Sequence, residues 1–196
     1  MRNRLIECVL LAAILCGVVP TAMAAEAEWG VAQLMQDLGQ VKRSQARFTE
    51  RKYLKVLKQP LQSSGTLTYV APDRLEKRTL KPKPEALIID GKTLTVETAQ
   101  GKRHMLKLQD YPVLWAFVES IRATLGGDVA TLERFYKVEL EGNPGRWQLF
   151  LAPRERSMSQ VISQIRIGGA GARLELIEVQ EAKGDRTVTK VIEEAR

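Results

Sequence analysis

The sequence predicts an α+β fold that is mostly β. Three observations carry this expectation. Apolar and polar residues alternate in many short runs, which is the period of a strand with one covered face. Proline, glycine and aspartate break those runs at Pro72-Asp73, Lys81-Pro82-Lys83-Pro84, Asp90-Gly91, Gly142-Asn143-Pro144-Gly145 and Lys183-Gly184-Asp185. Such residues suit tight turns, so successive strands are expected to run antiparallel. Helical periodicity is confined to the N-terminal region and to one segment between two groups of strands. Counted between breaks, there are eleven strands: 44–54, 61–70, 74–80, 85–90, 93–98, 103–108, 135–141, 146–152, 160–167, 173–180 and 186–192.

Residues 1–24 have the three parts of a secretory signal. Arg2 and Arg4 supply the positive start, an apolar run follows from Cys8 to Val19, and Ala22-Met23-Ala24 offers a small-x-small cleavage site. The apolar run is shorter than the roughly 20 residues of a spanning helix. A lipid-modified cysteine wants a small residue before it, and Cys16 follows Leu15. The expectation is cleavage after Ala24 and an exported domain over residues 25–196. Both cysteines fall in the signal, so that domain has no disulfide, thiolate metal site or cysteine nucleophile. It would fold on its core alone, and 172 residues suffice for one domain. Without the signal the chain keeps 28 Lys and Arg against 22 Asp and Glu. The basic residues are scattered, which suits a solvated surface, anionic headgroups or an acidic partner. Nucleic acid is a poor partner for an exported protein.

Each element then follows in order. Trp29 to Val41 reads as an amphipathic helix, with Val31, Leu34, Met35, Leu38 and Val41 on one face. The first strand sets Ala46, Phe48 and Glu50 on one side and Arg47, Thr49 and Arg51 on the other. A polar connection around Lys58-Gln59-Pro60 leads into a meander from Gly65 to Gly91, and a hairpin follows around Gln100-Gly101. Val113 to Leu125 is a helix whose apolar stripe holds Leu114, Phe117, Val118, Ile121 and Leu125, and Gly126-Gly127 stops it. Asp128 is a candidate N-cap for a short helix to Arg134. Alternation resumes at Tyr136. Pro153 to Ser159 reads as a polar loop, and Gly168 to Gly171 as a hairpin turn.

Catalysis has little support in the residues. The only histidine, His104, lies in an expected strand with no nucleophile-elbow pattern nearby. The Gly168–Gly171 run lacks the Lys-Ser/Thr and the helix of a phosphate loop. No carboxylate cluster has ligand spacing, so no metal, cofactor or catalytic residue is expected. What remains is a large apolar sheet face: Tyr69, Leu75, Leu87, Ile89, Leu94, Val96, Trp147 and Leu149 recur at alternating positions on different strands. If helices fill the interior these residues are core. If helices only cover the mouth, they line a cavity. Periodicity does not separate the two.

The string from Gly65-Thr66-Leu67-Thr68-Tyr69 through Pro72 to Leu87-Ile88-Ile89-Asp90-Gly91 resembles the identifying segment of the outer-membrane lipoprotein carrier (LolA) family. Gln45-Ala46-Arg47-Phe48-Thr49-Glu50 is similar to the family's x-A-x-F-x-Q first strand, with Glu50 in the glutamine place. The resemblance implies an open, curved antiparallel half-barrel of about eleven strands with helices covering its mouth. It implies a hollow lined at Leu75 and Leu87, walled by the strands of Phe48, Leu67 and Tyr69, and covered by helices bearing Leu114, Phe117 and Ile121. The implied function is a monomeric periplasmic carrier. It would bind the acyl chains of a lipoprotein or other lipid, take them from an inner-membrane donor and deliver them to an outer-membrane acceptor. A sensing module on the same half-barrel is the alternative. Ala71 stands where the best-known carriers have a lid-closing arginine, and Lys77 to Thr79 is more polar than the family pattern. The chain therefore resembles a divergent, LolA-related branch.

Overall fold

The computed structural model describes residues 29–193. The signal-like segment 1–24 lies outside them. The chain opens with α1 (Val31–Gly39), then β1 (Arg43–Tyr53), β2 (Leu61–Val70), β3 (Arg74–Lys81), β4 (Glu85–Asp90), β5 (Thr93–Thr98) and β6 (Arg103–Lys107). A 3-10 turn at Leu108–Asp110 leads to α2 (Pro112–Gly126) and α3 (Val129–Phe135). The second half holds β7 (Tyr136–Asn143), β8 (Arg146–Pro153), α4 (Arg156–Ser159), β9 (Ile162–Ala170), β10 (Arg173–Glu181) and β11 (Arg186–Glu193).

All eleven strands form one antiparallel sheet in the order β6-β5-β4-β3-β2-β1-β11-β10-β9-β8-β7. Two meanders are joined where β1 pairs with β11, Phe48 opposite Val191. The order has a direct consequence. β6 and β7 are the two outer edges, and α2 and α3 are the segment that connects them. The helices must therefore cross from one edge of the open sheet to the other.

Residues directly opposite in an antiparallel pair share a face. Following the register from Tyr69 to Leu75, Ile89 and Leu94 traces one apolar row. Leu67, Lys77, Leu87 and Val96 trace the next. In the other half, Leu140, Leu149, Ile167 and Ile177 are aligned. One face is thus mainly apolar from edge to edge, with Lys77 and Glu50 as charged members in its middle.

Helices cover its two flanks. On β7–β9, Leu149, Leu151, Ile165 and Ile167 pack with Leu34, Met35 and Leu38 of α1, Ala116 and Ala123 of α2, Leu132 of α3 and Met158 of α4. On β4–β6, Leu94, Leu87, Ile89 and Val96 pack with Leu108 and with Leu114, Trp115 and Val118 of α2. A single helix touches both flanks of the same face, so the sheet wraps around it. α1 has nine residues and no side-chain N-cap, too short to hold alone. Its three fully covered apolar residues supply its stability. α2 starts with Pro112 in the first turn and ends at Gly127, whose φ of 74° is left-handed. Asp128 caps α3, its carboxylate accepting the Thr131 N–H at 2.9 Å.

Four expectations need correction. Leu108 leaves the strand for the 3-10 turn. Pro153–Ser159 contains α4, where Met158 reaches the core. Helix α1 is shorter than the span from Trp29 to Val41. Gly168 and Gly169, read as a turn, belong to β9. A Cβ at Gly169 would run into the Arg173 carbonyl oxygen and the Trp147 ring, so this glycine makes room for the paired strand and the indole. The turn itself is at Gly171, whose carbonyl accepts the indole N–H at 2.9 Å.

Candidate functional site

Between the two covered flanks the middle of the sheet stays open beneath α2. A cavity of about 300 Å³ lies there. Its floor is Ala46, Leu67, Tyr69, Leu75, Leu87 and Ile89 from β1–β4, with Leu174, Ile177, Val179 and Val191 from β10 and β11. Its roof is Leu38 and Val41 at the end of α1 and Phe117, Val118, Ile121 and Leu125 of α2. A larger depression, about 710 Å³, lies along Thr49, Arg51, Gln62, Ser64 and Lys190. Those side chains have the opposite strand parity and belong to the polar face; Glu50 and Ser63 line it as well, so it is a surface trough of mainly polar and charged residues and not an apolar container.

Seven of the thirteen residues singled out in the sequence line the cavity: Leu67, Tyr69, Leu75, Leu87, Ile89, Phe117 and Ile121. Six do not. Trp147 and Leu149 are packed beneath the helices in the β7–β9 core. Leu94, Val96 and Leu114 join the cluster around Leu108. Phe48 faces the same side as Ala46 but is covered, with the Lys77 ammonium 4.9 Å above its ring. Leu94, Val96, Trp147 and Leu149 rest on strand alternation, which gives the face of a strand and not what lies on that face; Leu114 rests on the stripe of its helix and Phe48 on the family resemblance.

The cavity also holds a charged pair. The Lys77 Nζ donates to Glu50 Oε2 at 2.6 Å. Thr189 Oγ1 donates to the same oxygen at 2.8 Å, and Ser63 Oγ to Glu50 Oε1 at 3.3 Å. Burial pushes the Glu50 carboxyl up, but Lys77 and the two hydroxyls together hold it below the ordinary 4.5. Glu50 is therefore an anion in the folded protein at neutral pH. Away from this pair, toward Gly126 at the end of α2, the Tyr69 hydroxyl is buried with no partner among the described residues. Burial and the Asp73 charge both raise its pKa, so it stays protonated.

Arg122 fastens the roof. Its guanidinium donates to the carbonyls of Asp73 and Gly91, in the β2–β3 and β4–β5 turns, and to Glu119 Oε1 at 3.1 Å. It is 8% exposed. Ala71, beside the first of those turns, has no group to make such a link, so the tie runs from helix to sheet. The sequence carried one clue. Arg122 lies four residues after Val118 and three before Leu125, on the apolar stripe where a charge needs a partner.

His104 is exposed on the edge strand β6. Among the described residues no group of three His, Cys, Asp or Glu is placed to hold a metal, and no helix is long and apolar enough to cross a membrane.

An open sheet wrapped around an apolar hollow, with helices across its mouth, defines a half-barrel fold. The chain belongs to the outer membrane lipoprotein carrier protein LolA-like family, whose sequence model matches residues 22–196. A search of curated proteins gives no match. Among solved structures, a LolA superfamily protein from Nitrosomonas europaea is similar at 9% identity and TM-score 0.41, covering 83% of this chain and 91% of that one. The Pseudomonas aeruginosa MucA/MucB complex is similar at 13% identity and TM-score 0.46, covering 82% of this chain and 55% of the other. The complex of the CwlD amidase with the GerS lipoprotein from Clostridioides difficile is similar at 13% identity and TM-score 0.38, covering 76% and 82%.

Proposed function

We propose that residues 25–196 are a periplasmic carrier that follows a cleaved signal and holds the acyl chains of a lipoprotein or other lipid in the cavity under α2. The observation that carries this reading is the cavity itself: apolar on floor and roof, left uncovered in the middle of a sheet whose flanks are well packed. Burying a methylene is worth about 0.8 kcal/mol, so an acyl chain enters such a space without covalent chemistry. The volume is at the small end of ligand cavities, which run from about 300 to 1,000 Å³. More than one chain would require α2 to lift, and α2 is tied to the rim by polar contacts of Arg122 that can be remade. Release then needs only an acceptor or membrane with higher affinity. In this reading the inner-membrane donor and outer-membrane acceptor set the direction of transfer.

The test is native mass spectrometry of the protein purified from the periplasm without detergent, followed by extraction of bound lipid. The expected result is an acylated species that is lost on Leu75→Glu or Leu87→Glu. A folded wild-type protein that is empty, and stays empty when offered lipoprotein or glycolipid, would overturn the carrier reading in favour of a protein-binding role.

A further inference from the structure

The basic residues are scattered in sequence, but the sheet gathers many of them at one end. Strand register shows which turns share an end. Lys52 of β1 pairs with Leu61 of β2, and Tyr53 with Arg186 of β11, so the β1–β2 and β10–β11 connections lie side by side. The Lys55 N–H donates to Asp185 Oδ1 between them at 2.9 Å. Ser64 pairs with Lys81, Glu85 with Thr98 and Ile162 with Glu181, which brings the β3–β4 and β5–β6 turns and the segment before β9 to the same end. The Asp73 and Gly91 carbonyls that hold Arg122 lie at the other end.

Lys55, Lys58, Lys81, Lys83, Lys102 and Lys183 are exposed at this end and take part in no ion pair among the described residues. Arg154 and Arg156 join them, against Glu85, Glu155 and Asp185. Five of the eight large apolar side chains exposed among the described residues are here too: Val56 at 88%, Leu57, Leu61, Leu80 and Val161. Val56 and Leu57 stand between Lys55 and Lys58 in the β1–β2 connection.

We propose that this end of the sheet is a docking surface for an anionic lipid bilayer, with Val56 and Leu57 entering the headgroup boundary and the lysines meeting lipid phosphates. Clustered cations are drawn to an anionic leaflet, and exposed apolar side chains beside them gain by leaving water at its boundary. The residue types favour lipid over a protein partner. Protein interfaces are rich in aromatic residues and arginine and poor in lysine. The connections here hold lysine and aliphatic residues, with no Phe, Tyr or Trp in residues 54–60, 82–84, 99–102 or 182–185. Long lysine stems lie along an apolar boundary while their ammonium groups reach the phosphates. A fluid layer of headgroups also accepts charges carried on separate turns without fixing their spacing. Val179 and Thr187, which line the cavity, pair with each other next to the β10–β11 turn. A docked molecule thus holds one end of its cavity toward the bilayer. The surface itself is separate from the cavity, so docking stands or falls apart from the cargo.

The experiment is flotation of the protein purified from the periplasm with vesicles of phosphatidylcholine alone or with about 30% phosphatidylglycerol, whose charge attracts basic segments. Flotation is expected with the anionic vesicles and should fall severalfold between about 0.1 and 0.5 M salt. Lys58→Gln with Lys83→Gln, on two different hairpins, should weaken it roughly tenfold or more. Val56→Ser with Leu57→Ser should weaken it roughly tenfold. All four side chains are exposed, so the fold is kept. Lys92→Gln with Lys107→Gln, exposed at the far end, should leave flotation unchanged, and so should Leu87→Glu within the cavity. Equal flotation on the two kinds of vesicle, or flotation that both tip variants leave intact, would overturn the docking surface. Loss in Leu87→Glu alone would overturn it too, because the cavity would then be what holds the lipid. No flotation at all would overturn it in favour of an acidic protein as the partner. The carrier reading is tested separately, by extraction of bound lipid.

Discussion

Two side chains sort the polar contacts of the cavity into a charge balance and a fastening. Glu50 is held below its ordinary pKa by Lys77, Thr189 and Ser63, against the upward push of burial. A carboxylate depressed in the folded state contributes stability that is present above its unfolded pKa. That contribution is lost as pH falls through the folded value. Thermal unfolding measured from neutral pH down through pH ~3 should therefore show a steeper acid loss in wild type than in Glu50→Gln. The comparison with the variant matters because Asp128, lowered by the Thr131 contacts, has the same sign. Parallel curves would mean that Glu50 is not paired in solution. Arg122 does the fastening. Arg122→Met leaves the Asp73 and Gly91 carbonyls and the Glu119 carboxylate without their donor. Loss of hydrogen bonds from a buried charged donor costs about 2–3 kcal/mol, or roughly 5–10 °C in Tm for a domain of this size. Hydrogen exchange should rise in α2 while β8 and β9 stay protected, because their core does not include this contact. Uniform loss of protection would show that Arg122 supports the whole fold and not the roof.

Most elements could be read in the sequence because each is punctuated by its own turn chemistry. The meander from Gly65 to Gly91 and the stop at Gly126-Gly127 are local signals, and the strands fall where those signals put them. The errors arise where a residue answers to a distant partner. Gly169 is a glycine where a Cβ would meet both the Arg173 carbonyl of the paired strand and the Trp147 ring, 22 positions earlier, and Met158 of α4 fills a core site. Gly127 has both kinds of role. Its left-handed φ ends α2, a local signal, and its missing side chain admits α1: a Cβ there would lie 2.2 Å from the Met35 carbonyl oxygen. Gly127→Ala should thus cost more than backbone strain alone. A left-handed alanine costs about 1–2 kcal/mol, and the forced shift of α1 should bring the total to about 3 kcal/mol, within the range of overpacked sites. Gly171→Ala is the control, since its φ is also positive, 54°, with open space around it. Equal losses in chemical denaturation would mean that α1 moves freely away from α2.

At the scale of the molecule, one apolar sheet face serves two purposes, and alternation alone does not divide them. Leu149 and Leu87 look alike in sequence: each is an inward leucine in an alternating strand. Topology separates them. α1, α3 and α4 are delivered onto β7–β9, while above β1–β4 the crossing from β6 to β7 leaves α2, joined only by the end of α1 at Leu38 and Val41. Leu149 is fully covered, and Leu87 borders open volume. The separation should appear as opposite responses to the same change. Leu149→Ala removes packed atoms and leaves a new void, for which buried leucines lose about 2–5 kcal/mol. Leu87→Ala only enlarges a space that exists, and should cost about 1 kcal/mol or less, since its side chain lacks neighbours on the cavity side. Ligand binding should respond in the reverse order. A saturating acyl ligand raises Tm by mass action; that increment should persist in Leu149→Ala, from a lower baseline, and shrink in Leu87→Ala, whose wall has lost contact area. Denaturant midpoints and ligand-induced Tm increments on the two variants decide this together. If Leu87→Ala proves as costly as Leu149→Ala, the middle of the sheet is packed in solution, α2 lies closer to it, and the half-barrel is a filled core.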